Sequence, residues 1–290
     1  MRPCVSCSQA CQGFLARGLR VSCICNPLAG REIEFPAIDK TATAKNIAVI
    51  GGGPAGMEVA RLAALRGHSV TLYEASSAMG GQLAWAGAAP YRDEMRLLVD
   101  WWVRELDTLG VAVALNHKVE VQNLPIADHI IWAIGSVPSQ SAGGKLRPAL
   151  FDGIPGTEGM AHGHDILAGT HDAAGRVLVI DEEGGWPAIS LVESLAANAD
   201  VFSVTVATTE YQLGLPELSV TRELPDVMAR LNAAGVRIVP GVTATHVGEG
   251  ITVFGDGPRL GRFTTIILST GTSARPIPES ALAIGDCVAP

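Results

Sequence analysis

Residues 46–56 read Asn-Ile-Ala-Val-Ile-Gly-Gly-Gly-Pro-Ala-Gly, a short apolar run that passes directly into a glycine-rich turn. A helical pattern follows from residue 54 to about residue 66, where Gly67 ends it. A second apolar run over residues 69–73 then leads to Glu74. Strand, turn, helix and strand in this order predict one βαβ unit of the kind that binds dinucleotides.

The glycine spacing is a weak signal by itself, but its position between a strand and a helix makes it specific. Gly51 allows a tight turn, Gly53 lets the backbone approach a pyrophosphate, and Gly56 lets the helix pack on the strand. The positive end of the helix dipole would face the phosphates. Glu74 would accept hydrogen bonds from the ribose hydroxyls, and its charge would repel a 2′-phosphate. The alternative is a glycine-rich turn that holds no ligand.

The rest of the chain continues to alternate strands and helices. A second strand–loop–helix–strand unit is predicted with strands at 177–181 and 202–207 and a helix near 188–198. The other predicted elements are helices at 91–109 and 225–234, and strands at 111–115, 129–133, 236–239, 251–254 and 264–269. This order predicts an α/β fold with two Rossmann-like domains of the FAD/NAD(P)-binding type, the second inserted in the first.

Composition and charge exclude several classes of protein. The chain has 290 residues, a net charge of −8 and no basic stripe, so we expect no nucleic-acid partner. No apolar run reaches the roughly 18 residues that a membrane span needs. The N-terminus lacks the apolar core of a signal peptide. We therefore expect no membrane association and a cytoplasmic location.

Cysteines are concentrated at the N-terminus, where five of the six lie in the first 25 residues. Cys4, Cys7, Cys11 and Cys23 have the spacing of thiolate ligands to a 4Fe–4S cluster. Structural zinc also takes four cysteines, and it remains the alternative. Cys25 follows Cys23 closely, so the fourth ligand is ambiguous between the two.

The motifs divide the chain into four predicted segments. They are a cysteine-rich iron–sulfur segment at 1–35, a linker at 36–45, an FAD- or ADP-binding domain at 46–140 and 272–290, and a second nucleotide-binding-like domain at 141–271.

Later glycines extend the predicted nucleotide site. Gly81 lies in a Met-Gly-Gly-Gln-Leu stretch soon after Glu74, and Gly135 ends the apolar run at 131–135. Both positions suit close packing at a nucleotide cleft. Asp286 belongs to an Ile-Gly-Asp stretch that resembles the late element by which FAD proteins contact the ribityl–phosphate part of the flavin.

Taken together, the chain resembles the C-terminal half of the trimethylamine dehydrogenase and 2,4-dienoyl-CoA reductase family of old-yellow-enzyme-like flavoproteins. In that family an FMN-binding TIM barrel performs the substrate chemistry, and a 4Fe–4S segment and two nucleotide-binding-like domains follow it. The resemblance spans essentially all 290 residues. It implies that the four cysteines named above are cluster ligands. It also implies nucleotide contacts at Ala55, Glu74, Gln82, Arg92 and Val119, and a flavin contact at Asp286.

The sequence departs from the family pattern in three places. The barrel is missing, so we expect FMN on a partner chain. The chain stops at Pro290, where the family continues into a helix that completes the flavin site, and ADP in place of FAD is therefore an alternative. In the second domain, Asp181, Glu182 and Glu183 stand where a pyrophosphate would need backbone donors. Their charge disfavours a dinucleotide there.

These features predict an electron-transfer subunit of an iron–sulfur flavoprotein oxidoreductase of the dehydrogenase or N-demethylase type, working in a hetero-oligomer. It would relay electrons between a partner FMN barrel, the 4Fe–4S cluster and an external acceptor such as an electron-transferring flavoprotein. No side chain is predicted to act as a catalytic acid or nucleophile. The first alternative is an NAD(P)H-dependent FAD reductase module that feeds an enoate-reductase-type barrel. The second is a non-catalytic, ADP-binding scaffold subunit.

Overall fold

A computed structural model describes residues 1–35, 38–139, 156, 158–244, 246–248, 251–253 and 259–290. The strands within these ranges are β1 (Asn46–Ile50), β2 (Ser69–Tyr73), β3 (Ala112–Ala114), β4 (His129–Trp132), β5 (Ser136–Pro138), β6 (Ala161–His162), β7 (Gly175–Asp181), β8 (Val201–Thr208), β9 (Arg237–Val239), β10 (His246–Gly248), β11 (Ile251–Val253), β12 (Thr265–Ser269), β13 (Thr272–Ala274) and β14 (Leu282–Ala283). The helices are α1 (Phe14–Ala16), α2 (Pro54–Leu65), α3 (Gln82–Ala86), α4 (Glu94–Thr108), α5 (Gly163–Leu167), α6 (Trp186–Ala196), α7 (Leu215–Thr221) and α8 (Leu224–Ala233). A π-helical turn, Gln9–Gly13, precedes α1, and a 3₁₀ turn, Gly285–Cys287, follows β14.

The first sheet has the strand order β14-β4-β1-β2-β3, and all its neighbouring strands are parallel. The central strand β1 is buried from Ile47 to Ile50, as expected for a parallel strand covered on both faces. Pro54 occupies the first turn of α2, where a missing N–H costs no hydrogen bond. This places the glycine-rich turn at the carboxyl end of β1, the edge at which open α/β sheets bind ligands.

The second sheet has the order β6-β12-β7-β8-β9 and is also parallel throughout. Its strand β7 is fully buried from Val177 to Ile180. The helix α6 packs on this sheet through Ile189, Leu191 and Val192 and forms one core with β7 and β8. The predicted α/β fold with parallel sheets is confirmed.

Two short strands connect the sheets. The strand β5 leaves the first sheet, and β13 returns to it; they pair antiparallel, with Ser136 opposite Ala274 and Pro138 opposite Thr272. The strand β14 follows and pairs with β4 of the first sheet. The predicted boundary at residues 140 and 141, and residues 36 and 37 of the predicted linker, lie outside the described residues. The division into domains stays a prediction.

Several elements differ from the sequence expectation. The helix predicted from residue 91 begins at Glu94, because Tyr91 has a left-handed backbone (φ 62°) that a helix cannot contain. The cysteine-rich segment contains the π-helical turn and α1, neither of which was predicted. The short helices α3, α5 and α7 were not predicted. The predicted strand at 251–254 is present as Ile251–Val253, and its last residue lies outside the described ranges. Within the described ranges we find no helix long and apolar enough to cross a membrane.

Candidate functional site

The glycine-rich turn has the close packing that its spacing predicts. Gly51 has a φ of +110°, and a Cβ there would collide with the carbonyl oxygen of Ala133. A Cβ on Gly56 would collide with the carbonyl oxygen of Gly51. A Cβ on Gly53, by contrast, would have nothing within 4 Å. Two glycines are therefore required by the protein's own packing, whereas Gly53 borders open space at the start of α2, where a ligand could approach the backbone.

Glu74 fastens the turn from the next strand. Its Oε2 accepts a hydrogen bond from the Gly52 N–H at 2.6 Å. Its Oε1 accepts from both the N–H and the hydroxyl of Ser76, each at 2.7 Å. A carboxylate has about four lone-pair positions, so these three bonds leave it capacity for a ribose hydroxyl.

The Gly80–Gln82 stretch closes one side of the turn. The Gly80 N–H donates to the Gly52 carbonyl at 2.8 Å, and a Cβ on Gly81 would lie 3.1 Å from the Gly53 Cα. The Gln82 side chain donates from Nε2 to the Ser136 hydroxyl at 2.8 Å. Gly135, beside that serine, has a φ of +72°, and a Cβ there would lie 3.9 Å from the same Nε2.

For two further predicted residues, Asp286 and Val119, the contacts near the glycine-rich turn are made by residues close to them in sequence. A Cβ on Gly285 would lie 2.8 Å from the Ala55 Cβ, which puts the exposed Asp286 beside the start of α2. Val119 follows His117, whose N–H donates to the Glu74 carbonyl at 2.8 Å. The structure thus gathers most of the predicted residues around one end of the first sheet. These are Gly51, Gly53, Ala55, Gly56, Glu74, Gly81, Gln82, Gly135 and Asp286. The role of Val119 stays a prediction.

Arg92 lies elsewhere, against the helix α6. Its guanidinium stacks 3.8 Å above the Trp186 ring and lies 3.6 Å from Glu193, so both contacts are with α6. Burial lowers the pKa of Arg92, and the nearby Glu193 partly opposes that effect. Nothing in the sequence around Arg92 signals these partners, which lie about a hundred residues away. Its predicted role as a nucleotide contact stays a prediction.

The cysteine segment brings its thiols close enough to interact. Burial raises the pKa of the Cys7 thiol, and charges at Cys11, Cys23 and Cys4 raise it further, against a hydrogen bond from the Gln9 backbone. Ser6, which has a left-handed backbone, donates its N–H to the Cys4 sulfur at 3.3 Å. Within the described ranges, no group of three or more His, Cys, Asp or Glu side chains has an arrangement that could hold a metal ion. Cluster ligation therefore stays a prediction, supported by the thiol set and its N–H donors.

The Cys23 and Cys25 side chains differ in their surroundings. Cys25 is 3% exposed, and burial, with charges at Cys23 and Cys7, raises the pKa of its thiol to about 12 despite a hydrogen bond from the Val5 backbone. Cys23 is only half-buried. A thiol packed into the core is less accessible to a cluster than a half-buried one, so burial favours Cys23 as the fourth ligand.

The start of α6, where a second dinucleotide would bind, already contacts carboxylates of the protein. The Glu183 and Gly184 N–H groups both donate to Asp181 Oδ1 at 3.0 Å. Burial raises the pKa of Asp181 to about 6, against hydrogen bonds from Thr208 and from these amides. The Trp186 N–H donates to Glu217 Oε2 at 3.1 Å. Glu217 was not predicted at this site, although Gly-Leu-Pro-Glu at 214–217 is a helix-start pattern.

Comparison with known proteins finds similarity to one family model and to several relatives. Residues 33–150 match the pyridine nucleotide-disulphide oxidoreductase family. The chain is 35% identical over 182 residues to cinnamate reductase of Clostridium sporogenes, covering 62% of this chain and 26% of that protein. It is 32% identical over 255 residues to metal reductase of Desulforamulus reducens, covering 83% of this chain and 36% of that protein.

A solved structure extends the likeness to nearly the whole chain. The 6-hydroxypseudooxynicotine amine oxidase from Pseudomonas geniculata N1 has a TM-score of 0.88 and 28% identity, covering 98% of this chain and 46% of that one. The chain thus spans less than half the length of each of these three proteins. Residues 33–150 are thus similar to the pyridine nucleotide-disulphide oxidoreductase family, and these relatives are named as two reductases and an oxidase, which supports the predicted oxidoreductase class.

Proposed function

We propose that the chain is the electron-transfer part of an iron–sulfur flavoprotein oxidoreductase of the dehydrogenase or N-demethylase type. It relays electrons between FMN on a partner TIM barrel, a 4Fe–4S cluster on Cys4, Cys7, Cys11 and Cys23, and an external acceptor such as an electron-transferring flavoprotein. FAD, or ADP in its place, occupies the glycine-rich turn. The observation that carries the proposal is the packing of the cysteine segment on the dinucleotide domain. Cys7, Cys23 and Cys25 share one hydrophobic core with β1, α2 and β2.

The chain's own residues bind and position the cofactors. A 4Fe–4S cluster supplies one-electron transfer when it is bound. The backbone N–H of Ser6 donates to the Cys4 sulfur, and such bonds tune the reduction potential of a cluster. At the other site, Glu74 holds the glycine-rich turn in shape and offers a charged acceptor to a ribose.

An exposed apolar surface supports a protein partner at the cysteine segment. Leu15, Leu19, Ile24, Ile33 and Phe35 all expose about half or more of their side chains, from 47% for Phe35 to 95% for Ile33. Large apolar side chains grouped on a short segment are typical of interaction sites. We assign this surface to the FMN-binding barrel, with which a lasting contact would bury above roughly 1,000 Å².

The domain division that we propose follows the strand order. Residues 46–140 and 272–290 form the FAD- or ADP-binding domain, and residues 141–271 form a second, inserted domain. The pairing of β14 with β4 supports this division, because it returns the end of the chain to the first sheet.

Glu74→Ala is expected to weaken nucleotide binding by about 1.5–3 kcal/mol, or roughly 10- to 150-fold, because it removes a charged acceptor from the ribose. Isothermal titration of nucleotide-free protein with ADP and with FAD would measure the loss. Glu279→Ala, an exposed carboxylate on the returning segment, is the control and should bind as the wild type does. Equal affinities in the wild type and Glu74→Ala would remove Glu74 from the site. Tight binding of ADP together with no affinity for FAD would favour a scaffold subunit.

Neither NADH nor NADPH is expected to reduce the bound flavin directly. The Trp186 N–H at the start of α6 is already hydrogen-bonded to Glu217, and a dinucleotide phosphate would meet that carboxylate together with Asp181. Anaerobic titration of the natively purified protein, followed by flavin absorbance, tests this expectation. Stoichiometric bleaching within seconds would instead support the NAD(P)H-dependent reductase module.

A further inference from the structure

The glutamate Glu58 joins three parts of the molecule that are far apart in sequence. It lies on α2, about one turn beyond the glycine-rich turn. Its Oε1 accepts hydrogen bonds from Arg2 at 2.9 Å and from Arg61 at 2.8 Å. Its Oε2 accepts from Arg2 at 2.8 Å, from Arg61 at 3.1 Å and from the Trp102 indole at 2.8 Å. A single carboxylate therefore connects the N-terminal segment, α2 and α4.

The network is largely shielded from water. The side chains of Arg2, Glu58 and Arg61 are only 12%, 15% and 10% exposed. Burial would raise the pKa of the Glu58 carboxyl, but hydrogen bonds from Arg61, Trp102 and Arg2 outweigh it and hold that pKa below its ordinary value. The carboxylate is thus charged at neutral pH and balances two buried guanidinium groups.

Arg2 carries the connection into the cysteine segment. Its guanidinium also donates to the backbone carbonyl of Cys25, and it stacks 4.3 Å above the Trp101 ring. Cys25 is buried in the core that includes α2 and α4, two residues after the predicted ligand Cys23. The cysteine segment is therefore anchored in part by a side chain that Glu58 holds.

Glu58 is also close to the proposed nucleotide site. It lies on α2, and we propose that the first turn of α2 binds the nucleotide. Gly53 and Ala55 border the open end of α2, and Glu58 follows within the same rigid element. A pyrophosphate that orders this end of the helix would restrict Glu58 and, through Arg2, the cysteine segment. By linkage, a segment fixed in place would favour the nucleotide equally.

We propose that Glu58 is a positioning residue that couples nucleotide binding at α2 to the ordering of the cysteine segment. The inference rests on the proposed function for its two ligands. Its consequence is that ADP bound at the glycine-rich turn protects the cluster against loss, and that this protection depends on the Glu58–Arg2 contact.

The experiment compares the wild type with Glu58→Gln, each with and without saturating ADP. The first readout is the rate of iron release to a chelator under anaerobic conditions. The second is hydrogen–deuterium exchange of the amides in residues 1–35, which needs no cluster. ADP should slow both by at least about 5-fold in the wild type, the lower end of typical couplings between sites. In Glu58→Gln the ratio between the two conditions should fall below about 2-fold.

Matched variants separate coupling from general destabilisation. Glu34→Gln is the control, because Glu34 also pairs with two arginines, Arg20 and Arg31, but at the surface. It should keep the wild-type ratio. Arg2→Met breaks the contact from the segment side and leaves the Glu58–Arg61 pair intact, so it decides the question if Glu58→Gln does not fold.

The outcomes are distinct. The inference would be overturned if folded Glu58→Gln or Arg2→Met kept the wild-type ratio of rates without and with ADP. It would also be overturned if ADP changed neither rate in the wild type. Protein that binds zinc and no iron would refute the proposed cluster, yet the amide exchange would still test Glu58. A merely structural role would raise exchange equally with and without ADP and leave the ratio unchanged, which also contradicts the proposal.

Discussion

Replacing Cys11 with alanine is expected to abolish the iron content of the protein, because a 4Fe–4S cluster needs four thiolates and this change leaves three of the proposed set. Anaerobic purification followed by iron, sulfide and zinc analysis would measure the effect. The wild type should contain about four irons per chain and Cys11→Ala close to none. Its visible absorbance should lose the contribution of the cluster.

The other two cysteines of the chain provide the control variants for this change. Cys25→Ala and Cys287→Ala should keep their iron. Cys25 is buried with a raised thiol pKa, and Cys287 is 3% exposed with its sulfur 3.0 Å from the Ile284 carbonyl. Iron retained in Cys11→Ala would show that the ligand set is wrong. Stoichiometric zinc in the wild type, with no iron, would refute the cluster itself.

Replacing Glu193 with leucine is expected to lower the free energy of unfolding by about 3–5 kcal/mol, the usual cost of removing one partner from a buried ion pair. The Glu193 side chain is 4% exposed and lies 2.8 Å from Arg230 and 3.6 Å from Arg92. Leucine would leave two guanidinium groups near each other without their shared counter-charge. Urea denaturation followed by fluorescence and circular dichroism would measure the change.

The matched control is Glu120→Leu. Glu120 is 56% exposed and pairs with Lys118 at 2.8 Å, and a surface pair of this kind contributes only about 0–1 kcal/mol. Equal stability losses in the two variants would contradict the role given to Glu193. Because Arg92 precedes α4 and Glu193 lies on α6, Glu193→Leu should also make the two sheets unfold less cooperatively.

The central strands of the first sheet and the glycine-rich turn could be predicted from local sequence. β1 and β2 have the predicted bounds, since apolar strands next to a glycine turn are specified by residues within a few positions of one another. Most of the predicted nucleotide residues gather for the same reason, because the carboxyl ends of neighbouring parallel strands meet at one edge.

Contacts between distant residues could not be predicted in this way. Glu217 reaches the start of α6 only because the unpredicted helix α7 packs there. Arg92 faces Trp186 and Glu193 because the segment before α4 lies against α6, and no local pattern in the sequence indicates that contact. The left-handed Tyr91 makes the predicted helix begin late, at Glu94, although nothing in its residue type favours that backbone.

The paired crossings β5 and β13 have a mechanical consequence for the whole molecule. Two single linkers would let the sheets swing freely, whereas an antiparallel ribbon resists shear because sliding one strand past the other breaks its ladder. A buried hydrogen bond from the Thr270 hydroxyl to the Ser139 carbonyl, at 2.7 Å, adds to this resistance. Twisting about the long axis of the ribbon breaks none of these bonds. Taken by itself, the ribbon therefore resists sliding of the two sheets past each other more strongly than it resists twisting between them.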